Sequence, residues 1–393
     1  MKKYISFALF IFATSFAAMA KSSALDFKAQ DTSRELTTLD GTVVPYTAYT
    51  DITYVTNAGE REMPRISFLV PKGATQKSPI LLRAGMYDDP LLPSVLDVSA
   101  RALQEGMCVC FMGEGSLIDL KAVVRYLRYN DKRMLGSAEK IVVDNSMERG
   151  SDAVVLGLSG NHPDYEDALR RMGAAKARDH VFAVVCYSPG FGSHHDEALQ
   201  WLFSGKSDYE SFIEGLAMRH PVTGTPITRE NYMDYLKSYI VASAQRFINE
   251  GGEIPDTLGF EFLRYMPPTP KSFPGGPRYV RAKAIKTDRV ADVDMQVFLR
   301  FVEQQRSGLV VMQVKGSQPT DFRSCLTDKR VAVAPHWYIR HGLLDAEEPY
   351  CKSVNLATLL MNAGKDVNFS LPWNRHHAEN YDLDGLFRWL RSL

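Results

Sequence analysis

Two polar side chains near the end of the chain have the types and spacing that acid–base chemistry needs. Asp345 follows the predicted strand His336–His341, and His377 follows the predicted strand Val367–Leu371. Open α/β sheets bind ligands at the carboxyl ends of their strands. Hydrolases of the α/β class place first the acid and then the histidine of their triad in loops after late strands. Each residue alone is common in loops, but their order and context favour an acid–base pair.

The nucleophile that would complete a triad is not evident. The chain contains no G-x-S-x-G motif, which builds the sharp strand-to-helix turn of α/β-hydrolases. Three serines follow apolar runs, namely Ser146, Ser159 and Ser188. Serine is also common in turns and helix caps, because its hydroxyl bonds to the nearby backbone. The residues alone leave the choice among these serines open.

The surrounding sequence predicts the elements that would position this chemistry. Short β-rich runs alternate with helical periods up to residue 190 and again from residue 331, which predicts a mostly parallel sheet with helices on both faces. The pattern of residues 191–330 predicts a helical cap insertion. One helix is predicted over Arg229–Glu250, with Thr228 as its N-cap, and another over about Ala291–Arg306. The predicted fold is an α/β-hydrolase fold with its core in 21–190 and 331–393. Its early core strands are predicted at Ile66–Val70, Pro79–Arg83, Met107–Phe111, Ile141–Asp144 and Val181–Tyr187.

Composition excludes several classes of protein. The chain has 393 residues, 45% of them hydrophobic, and 46 Lys+Arg balance 46 Asp+Glu. Extensive disorder requires low hydrophobicity and high net charge, so most of the chain should fold. Nucleic-acid binding is disfavoured because contacts to phosphates need a surplus of basic residues. There is no C-x-x-C or H-E-x-x-H motif, so neither a metal site nor a cofactor is predicted.

Residues 1–20 have the pattern of a secretory signal peptide. Lys2 and Lys3 precede the apolar run Tyr4–Ala17, and Ala18-Met19-Ala20 offers small residues for cleavage. The apolar run is shorter than the roughly 18 residues that a membrane span needs. We therefore expect a periplasmic or secreted protein with no membrane span after cleavage.

The five cysteines are predicted to play structural roles. Cys108, Cys110 and Cys186 lie in apolar strand-like runs, where cysteine acts as a small buried hydrophobe. Cys325 and Cys351 are the one pair for which a disulfide is considered, because an exported protein can form one.

Several long phrases of the sequence resemble the bacterial tannase family of subtype B. They include LIDLKAVVRYLRYNDKR at 117–133, GNHPDY at 160–165, VAPHWYIRHGLLDAEEP at 333–349 and DVNFSLPWNRHHAENYDLDGLFRWL at 366–390. The resemblance covers roughly residues 79–203 and 331–393. It implies a secreted α/β-hydrolase that cleaves galloyl esters of phenolics, with a small phenolic or aromatic ester as its ligand.

The resemblance also assigns roles to individual residues. The triad aspartate of the family falls on Asp345 and its histidine on His377. A carboxylate that contacts phenolic hydroxyls in the family falls on Glu347, which is otherwise a favourable helix-start residue. In that family a lysine also contacts the galloyl ring, and Lys271 is the nearest candidate for this lysine.

The nucleophile motif of the family, similar to G-T-S-A-G-G, aligns with residues 145–150. The serine position then falls on Met147, whose thioether has no proton to give and cannot form an acyl-enzyme. An acidic Glu114 also replaces a basic residue near the expected oxyanion. The resemblance removes Ser159 and Ser188 from consideration, because they lie beyond the nucleophile helix and after the next strand.

Three hypotheses follow for the function. The first is a pseudoenzyme that keeps the fold and binds phenolic esters without an efficient nucleophile. The second is an active esterase in which Ser146 is shifted into the nucleophile position and works with His377 and Asp345. The third is a binding or scaffold module in which Asp345 and His377 are remnants.

Overall fold

The computed structural model describes residues 24–28, 30–38, 40–84, 93–113, 115–144, 150–189, 195–204, 208–265, 285–304, 322–377 and 381–393. The predicted signal peptide over 1–20 lies outside the described residues, as do Glu114, Ser146, Met147 and Lys271. Within the described part of the chain, no helix combines the length and the apolar character that crossing a membrane requires.

A nine-stranded sheet forms the centre of the fold, in the order β1-β2-β3-β5-β4-β6-β7-β10-β11. The pairings from β5 to β11 are parallel, and those among β1, β2, β3 and β5 are antiparallel. The sheet is therefore mostly parallel, as the sequence predicted. The strands are β1 (Gln30–Thr37), β2 (Val43–Thr53), β3 (Arg65–Pro71), β4 (Pro79–Ala84), β5 (Cys108–Met112), β6 (Ser137–Asp144), β7 (Ala183–Tyr187), β8 (Phe260–Tyr265), β9 (Ile285–Val293), β10 (His336–Arg340) and β11 (Asp366–Ser370).

Helices cover both faces of this sheet because side chains alternate along each strand. Ile141 and Val143 of β6 pack against one helix layer, while Val142 between them packs against the other. Residues of α2, α3 and α10 form the first layer, and residues of α1 and α11 form the second. The helices are α1 (Pro93–Gln104), α2 (Leu117–Tyr129), α3 (Gly150–Leu158), α4 (Glu166–Arg171), α5 (His195–Ser204), α6 (Tyr209–Leu216), α7 (Arg229–Asn249), α8 (Met295–Gln304), α9 (Phe322–Thr327), α10 (Tyr350–Asn362) and α11 (Leu383–Ser392).

The insertion between β7 and β10 is helical in large part, but not entirely. Its helix α7 matches the predicted helix, and the Asn231 side chain accepts a hydrogen bond from the Thr228 backbone N–H at its start. The second predicted helix, Ala291–Arg306, was wrong at its start, because residues up to Val293 belong to β9. Asp294 directly follows that strand and caps α8, because its side chain accepts hydrogen bonds from two backbone N–H groups of that helix. Strands β8 and β9 form a two-stranded antiparallel sheet that the sequence patterns did not predict.

The insertion shares a hydrophobic core with helix α10 of the main domain. Ile240 of α7 and Phe298 of α8 are buried in the same cluster as Val354 of α10. A buried polar chain crosses this contact, since the Tyr232 hydroxyl donates to Asn355 at 2.7 Å and the Asn355 amide donates to the Tyr209 hydroxyl at 3.0 Å. Satisfied buried polar groups of this kind fix a single packing arrangement.

All five cysteines are free thiols, and all are buried. The considered disulfide between Cys325 and Cys351 was therefore wrong. The two residues lie in different hydrophobic clusters, Cys325 with α2 and α3 and Cys351 with the insertion. Burial raises the pKa of the Cys351 thiol to about 11, which makes it a poor nucleophile.

Candidate acid–base site

Asp345 and His377 come together because their strands, β10 and β11, are parallel neighbours whose carboxyl ends lie at one edge of the sheet. The His377 Nδ1 lies 2.9 Å from the Asp345 Oδ2. The other carboxylate oxygen, Oδ1, accepts hydrogen bonds from the backbone N–H groups of Glu347 at 2.8 Å and Glu348 at 3.0 Å. The Asp345 side chain is fully buried, and 28% of the His377 side chain is exposed. A buried carboxylate that orients a partly exposed imidazole is the arrangement of a general base.

The two loops that carry this pair are joined through their backbones. The Leu344 N–H donates to the Arg375 carbonyl at 3.0 Å, and the Leu343 N–H donates to the Pro372 carbonyl at 3.1 Å. Gly342 lies so close to the second loop that a Cβ atom there would overlap the carbonyl oxygens of Arg375 and His376. The separation of the acid and the base therefore depends on a glycine at 342.

A Gly342→Ala substitution should push these loops apart. We expect a loss of about 1–3 kcal/mol in the free energy of unfolding, because overpacking a tight contact costs this much. Denaturant unfolding of the mature protein measures the loss. Gly215→Ala in α6 is the matched control, since its Cβ would meet no atom within 4 Å and alanine favours helix. Equal stability of the Gly342→Ala variant and the wild type would contradict the prediction.

The pKa values of the pair are shifted apart. Burial raises the pKa of Asp345, but the hydrogen bond from His377 and the electrostatic effects of the His341 and His377 rings outweigh it and bring the value to about 2. Burial lowers the pKa of His377, but the hydrogen bond and charge of Asp345, with the charges of Glu348 and Glu347, raise it above the usual value. The pair therefore favours an aspartate anion beside a readily protonated imidazole.

These shifts give the pair a pH-dependent contribution to stability. The depressed pKa of Asp345 stabilises the fold above about pH 4, a contribution lost as the pH falls towards 2. The raised pKa of His377 stabilises the fold below about pH 6.5, a contribution lost as the pH rises through the folded pKa. Asp345→Asn should therefore cost most between about pH 4 and 6.5, on the order of 2 kcal/mol at pH 5.5.

Urea unfolding at pH 5.5 and pH 8.5 tests this prediction. Asp366→Asn is the control, because it removes the carboxylate of the more exposed His336–Asp366 contact, also 2.9 Å long. An Asp345→Asn loss of stability that is the same at both pH values would contradict the prediction.

The other predicted site residues lie near this pair or are accounted for structurally. Glu347 is half-buried beside the Asp345–His377 pair, and its backbone N–H donates a hydrogen bond to the Asp345 Oδ1. The Ser159 hydroxyl, just after α3, donates to the Val155 carbonyl at 2.5 Å and is buried. Ser188 directly follows β7 and has a φ of 42°, and its backbone N–H donates to the Arg340 carbonyl at 2.7 Å. Neither of these two serines contacts His377 through a hydrogen bond in the described structure.

The segment aligned with the nucleophile motif connects β6 to α3. Strand β6 ends at Asp144 and helix α3 begins at Gly150, so the intervening residues join a strand end to a helix start at the edge that carries Asp345. Asp144 itself is buried and lies 3.2 Å from the buried Arg83 at the end of β4. Arg83 also donates to the Ser99 hydroxyl at 3.0 Å. This ion pair was not predicted from the sequence, although a charged residue lies at the end of each of the two apolar runs.

A cavity of about 180 Å³ adjoins Asp345 on the side of the insertion. Its walls combine apolar side chains with carboxylates, and no lysine or arginine is among its described lining residues. Helices α5 and α8 of the insertion and the loop after β10 supply these residues, among them Gln200, Leu299, Val302, Glu303, Ala346 and Glu348. Among the described side chains, no group of histidines, cysteines and carboxylates could hold a metal ion.

The sheet order, the strand-to-helix connection after β6 and the Asp345–His377 pair define an α/β-hydrolase-like fold. Solved structures of tannases have a similar fold. The chain is similar to the tannase of Lactobacillus plantarum, with a TM-score of 0.77 and 22% identity over 94% of this chain and 99% of that one. It is similar to the tannase of Fusobacterium nucleatum, with a TM-score of 0.74 and 21% identity over 94% and 99%. A tannin acyl hydrolase in complex with ethyl gallate gives 0.76 and 22% over 94% and 98%.

The tannase-like fold inferred from the sequence is thereby confirmed. No protein-family model matches the chain, and no curated protein is significantly similar to it in sequence.

Proposed function

We propose that this chain is an exported tannase-like protein that binds phenolic carboxylic esters and hydrolyses them poorly, because Met147 stands where the nucleophilic serine would be. The observation that carries the proposal is the hydrogen-bonded Asp345–His377 pair at the sheet edge of a fold shared with tannases. Export rests on the signal-peptide pattern of residues 1–20.

The surroundings of Asp345 support a neutral phenolic ligand. One tannin acyl hydrolase of the same fold is solved with ethyl gallate, a neutral phenolic ester. The cavity beside Asp345 has apolar walls for a ring and carboxylates that accept hydrogen bonds from hydroxyl groups. Glu347 is the residue that we propose for contact with phenolic hydroxyls, and Lys271 is a further candidate from the sequence.

The chemistry of Met147 supports poor hydrolysis. An acyl-enzyme requires a nucleophile that loses a proton to the histidine, and a thioether carries none. Loss of the serine in a serine hydrolase costs about 10⁶ in kcat. Glu114, aligned with the oxyanion turn, adds a charge of the wrong sign where a negative charge develops.

A second candidate function is favoured by the intact pair itself. His377 bonds Asp345 through Nδ1, which leaves Nε2 as the nitrogen that a nucleophile would need. In this alternative Ser146 is the nucleophile of a working carboxylesterase, and Asp345 orients His377. In a third alternative the chain is a binding or scaffold module in which Asp345 and His377 are remnants.

Two measurements on the mature protein separate these functions. We expect no adduct on any serine after treatment with a fluorophosphonate, read by peptide mass spectrometry with an active tannase as positive control. We also expect methyl gallate to raise the Tm without being hydrolysed, since a ligand that binds only the folded state stabilises it. An adduct on Ser146 that Ser146→Ala abolishes would favour the esterase. A Tm that does not change with any phenolic ester, together with no adduct, would contradict the binding of phenolic ligands and leave the scaffold role.

A further inference from the structure

A second histidine lies behind the acid of the pair. His341 directly follows β10, and its side chain is fully buried. Its Nδ1 lies 2.8 Å from the Ser353 hydroxyl, and its Nε2 lies 3.1 Å from the Glu348 carbonyl oxygen. The same Nε2 is 3.5 Å from the Asp345 Oδ2. The ring therefore joins α10 to the loop that carries the acid.

The contacts of His341 determine which ring nitrogen carries the proton. A carbonyl oxygen can only accept a hydrogen bond, so Nε2 is the donor towards Glu348. Burial is the largest influence on the pKa of His341 and lowers it, with a smaller effect in the same direction from His377, while Asp345 and Glu348 act against it. A neutral imidazole has one N–H, so Nδ1 accepts its hydrogen bond from the Ser353 hydroxyl.

This arrangement bears on Asp345 through the turn that follows it. The Glu348 carbonyl is held by His341, and the backbone N–H groups of Glu347 and Glu348 both bind the Asp345 Oδ1. While His341 holds this turn, both backbone N–H groups bind the Asp345 Oδ1, and the Asp345 Oδ2 is directed at His377. Metal sites use comparable outer groups to orient the residues that do the chemistry.

We propose that His341, with its tautomer set by the Glu348 carbonyl oxygen, is a positioning residue that holds the Asp345 carboxylate in hydrogen-bonding geometry with His377. The inference rests on the acid–base pair of the proposed function. It does not depend on which residue is the nucleophile or on whether a phenolic ester binds.

The test is an NMR titration of the His377 ring in the mature protein, with the signal assigned by its absence in His377→Gln. Among the described residues, the carboxylates that raise the pKa of this ring are Asp345, Glu348 and Glu347. In His341→Leu we expect the pKa of His377 to fall towards the ordinary histidine value, because Asp345 is no longer held against it. In Ser353→Ala, which removes the hydrogen bond between the His341 Nδ1 and α10, we expect a smaller fall.

Two further variants separate positioning from general packing. His341→Gln supplies an amide N–H near the position of Nε2 and should keep the pKa of His377 close to that of the wild type. Leu360→Ala removes buried volume from the same helix, α10, and should lower the Tm with the pKa of His377 unchanged.

An unchanged pKa of His377 in His341→Leu would overturn the proposal, as would an equal fall in Leu360→Ala. If His341→Leu does not fold, Ser353→Ala and His341→Gln test the proposal instead. An unchanged pKa of His377 in Ser353→Ala would then overturn the proposal. Absence of ester binding contradicts the proposed function alone, since the titration of His377 uses no ester.

Discussion

Replacing Met147 with serine should raise the esterase activity of the protein. His377 and Asp345 already form a hydrogen-bonded pair of the kind that activates a serine, and we propose that the substitution supplies a nucleophile to this pair. Because loss of the serine costs about 10⁶ in kcat, even partial restoration should raise the hydrolysis of methyl gallate by at least about 10²-fold. A fluorophosphonate should then label residue 147.

Further variants at His377 and Ser146 control for the source of this gain of activity. Met147→Ser combined with His377→Ala should return to the wild-type rate, because the general base is gone. Labelling of the wild type at Ser146, lost in Ser146→Ala, would show that the nucleophile is one residue earlier and that the alignment at Met147 is wrong. A folded Met147→Ser variant with the same rate as the wild type would contradict the prediction.

Removing the charge of Asp144 should destabilise the fold strongly. Arg83 and Asp144 form a buried ion pair at 3.2 Å, with only 7% and 2% of their side chains exposed. Asp144→Asn leaves the Arg83 guanidinium buried without its counter-charge, and breaking a buried pair in this way costs about 3–5 kcal/mol. Urea unfolding near neutral pH measures the loss.

An exposed ion pair provides the matched control. Arg65 and Asp51 are 2.9 Å apart with 52% and 73% of their side chains exposed, so Asp51→Asn should cost at most about 1 kcal/mol. Asparagine also tolerates the positive φ of 58° at residue 51. Equal losses in the two variants would mean that burial does not determine the cost of removing Asp144.

The central sheet could be predicted because its strands are short apolar runs punctuated by turns. The observed strand Ser137–Asp144 includes the predicted run Ile141–Asp144, and β7 ends at Tyr187 as predicted. Asp345 and His377 were found for the same reason, since parallel neighbouring strands bring the residues that follow them to one edge.

Features that depend on partners distant in sequence could not be predicted. The hydrogen bonds of β8 come from β9, across residues 266–284, and neither strand has a strong pattern of its own. His341 looked like the last residue of a strand, and its contact with Ser353 exists only once α10 packs on the sheet. The disulfide considered for Cys325 and Cys351 was wrong because spacing does not say which hydrophobic cluster each thiol joins.

The core that the insertion shares with α10 makes these two parts one cooperative folding unit. Residues of α7 and α8 cover apolar side chains of α10, and the Tyr232–Asn355–Tyr209 chain ties the same surfaces together. Local opening of one part would expose the other, so their backbone amides should lose protection from hydrogen exchange at the same denaturant concentration. The loop of Asp345 runs directly into α10 at Tyr350. Substitutions far out in the insertion should therefore change how often the acid of the pair is exposed to solvent.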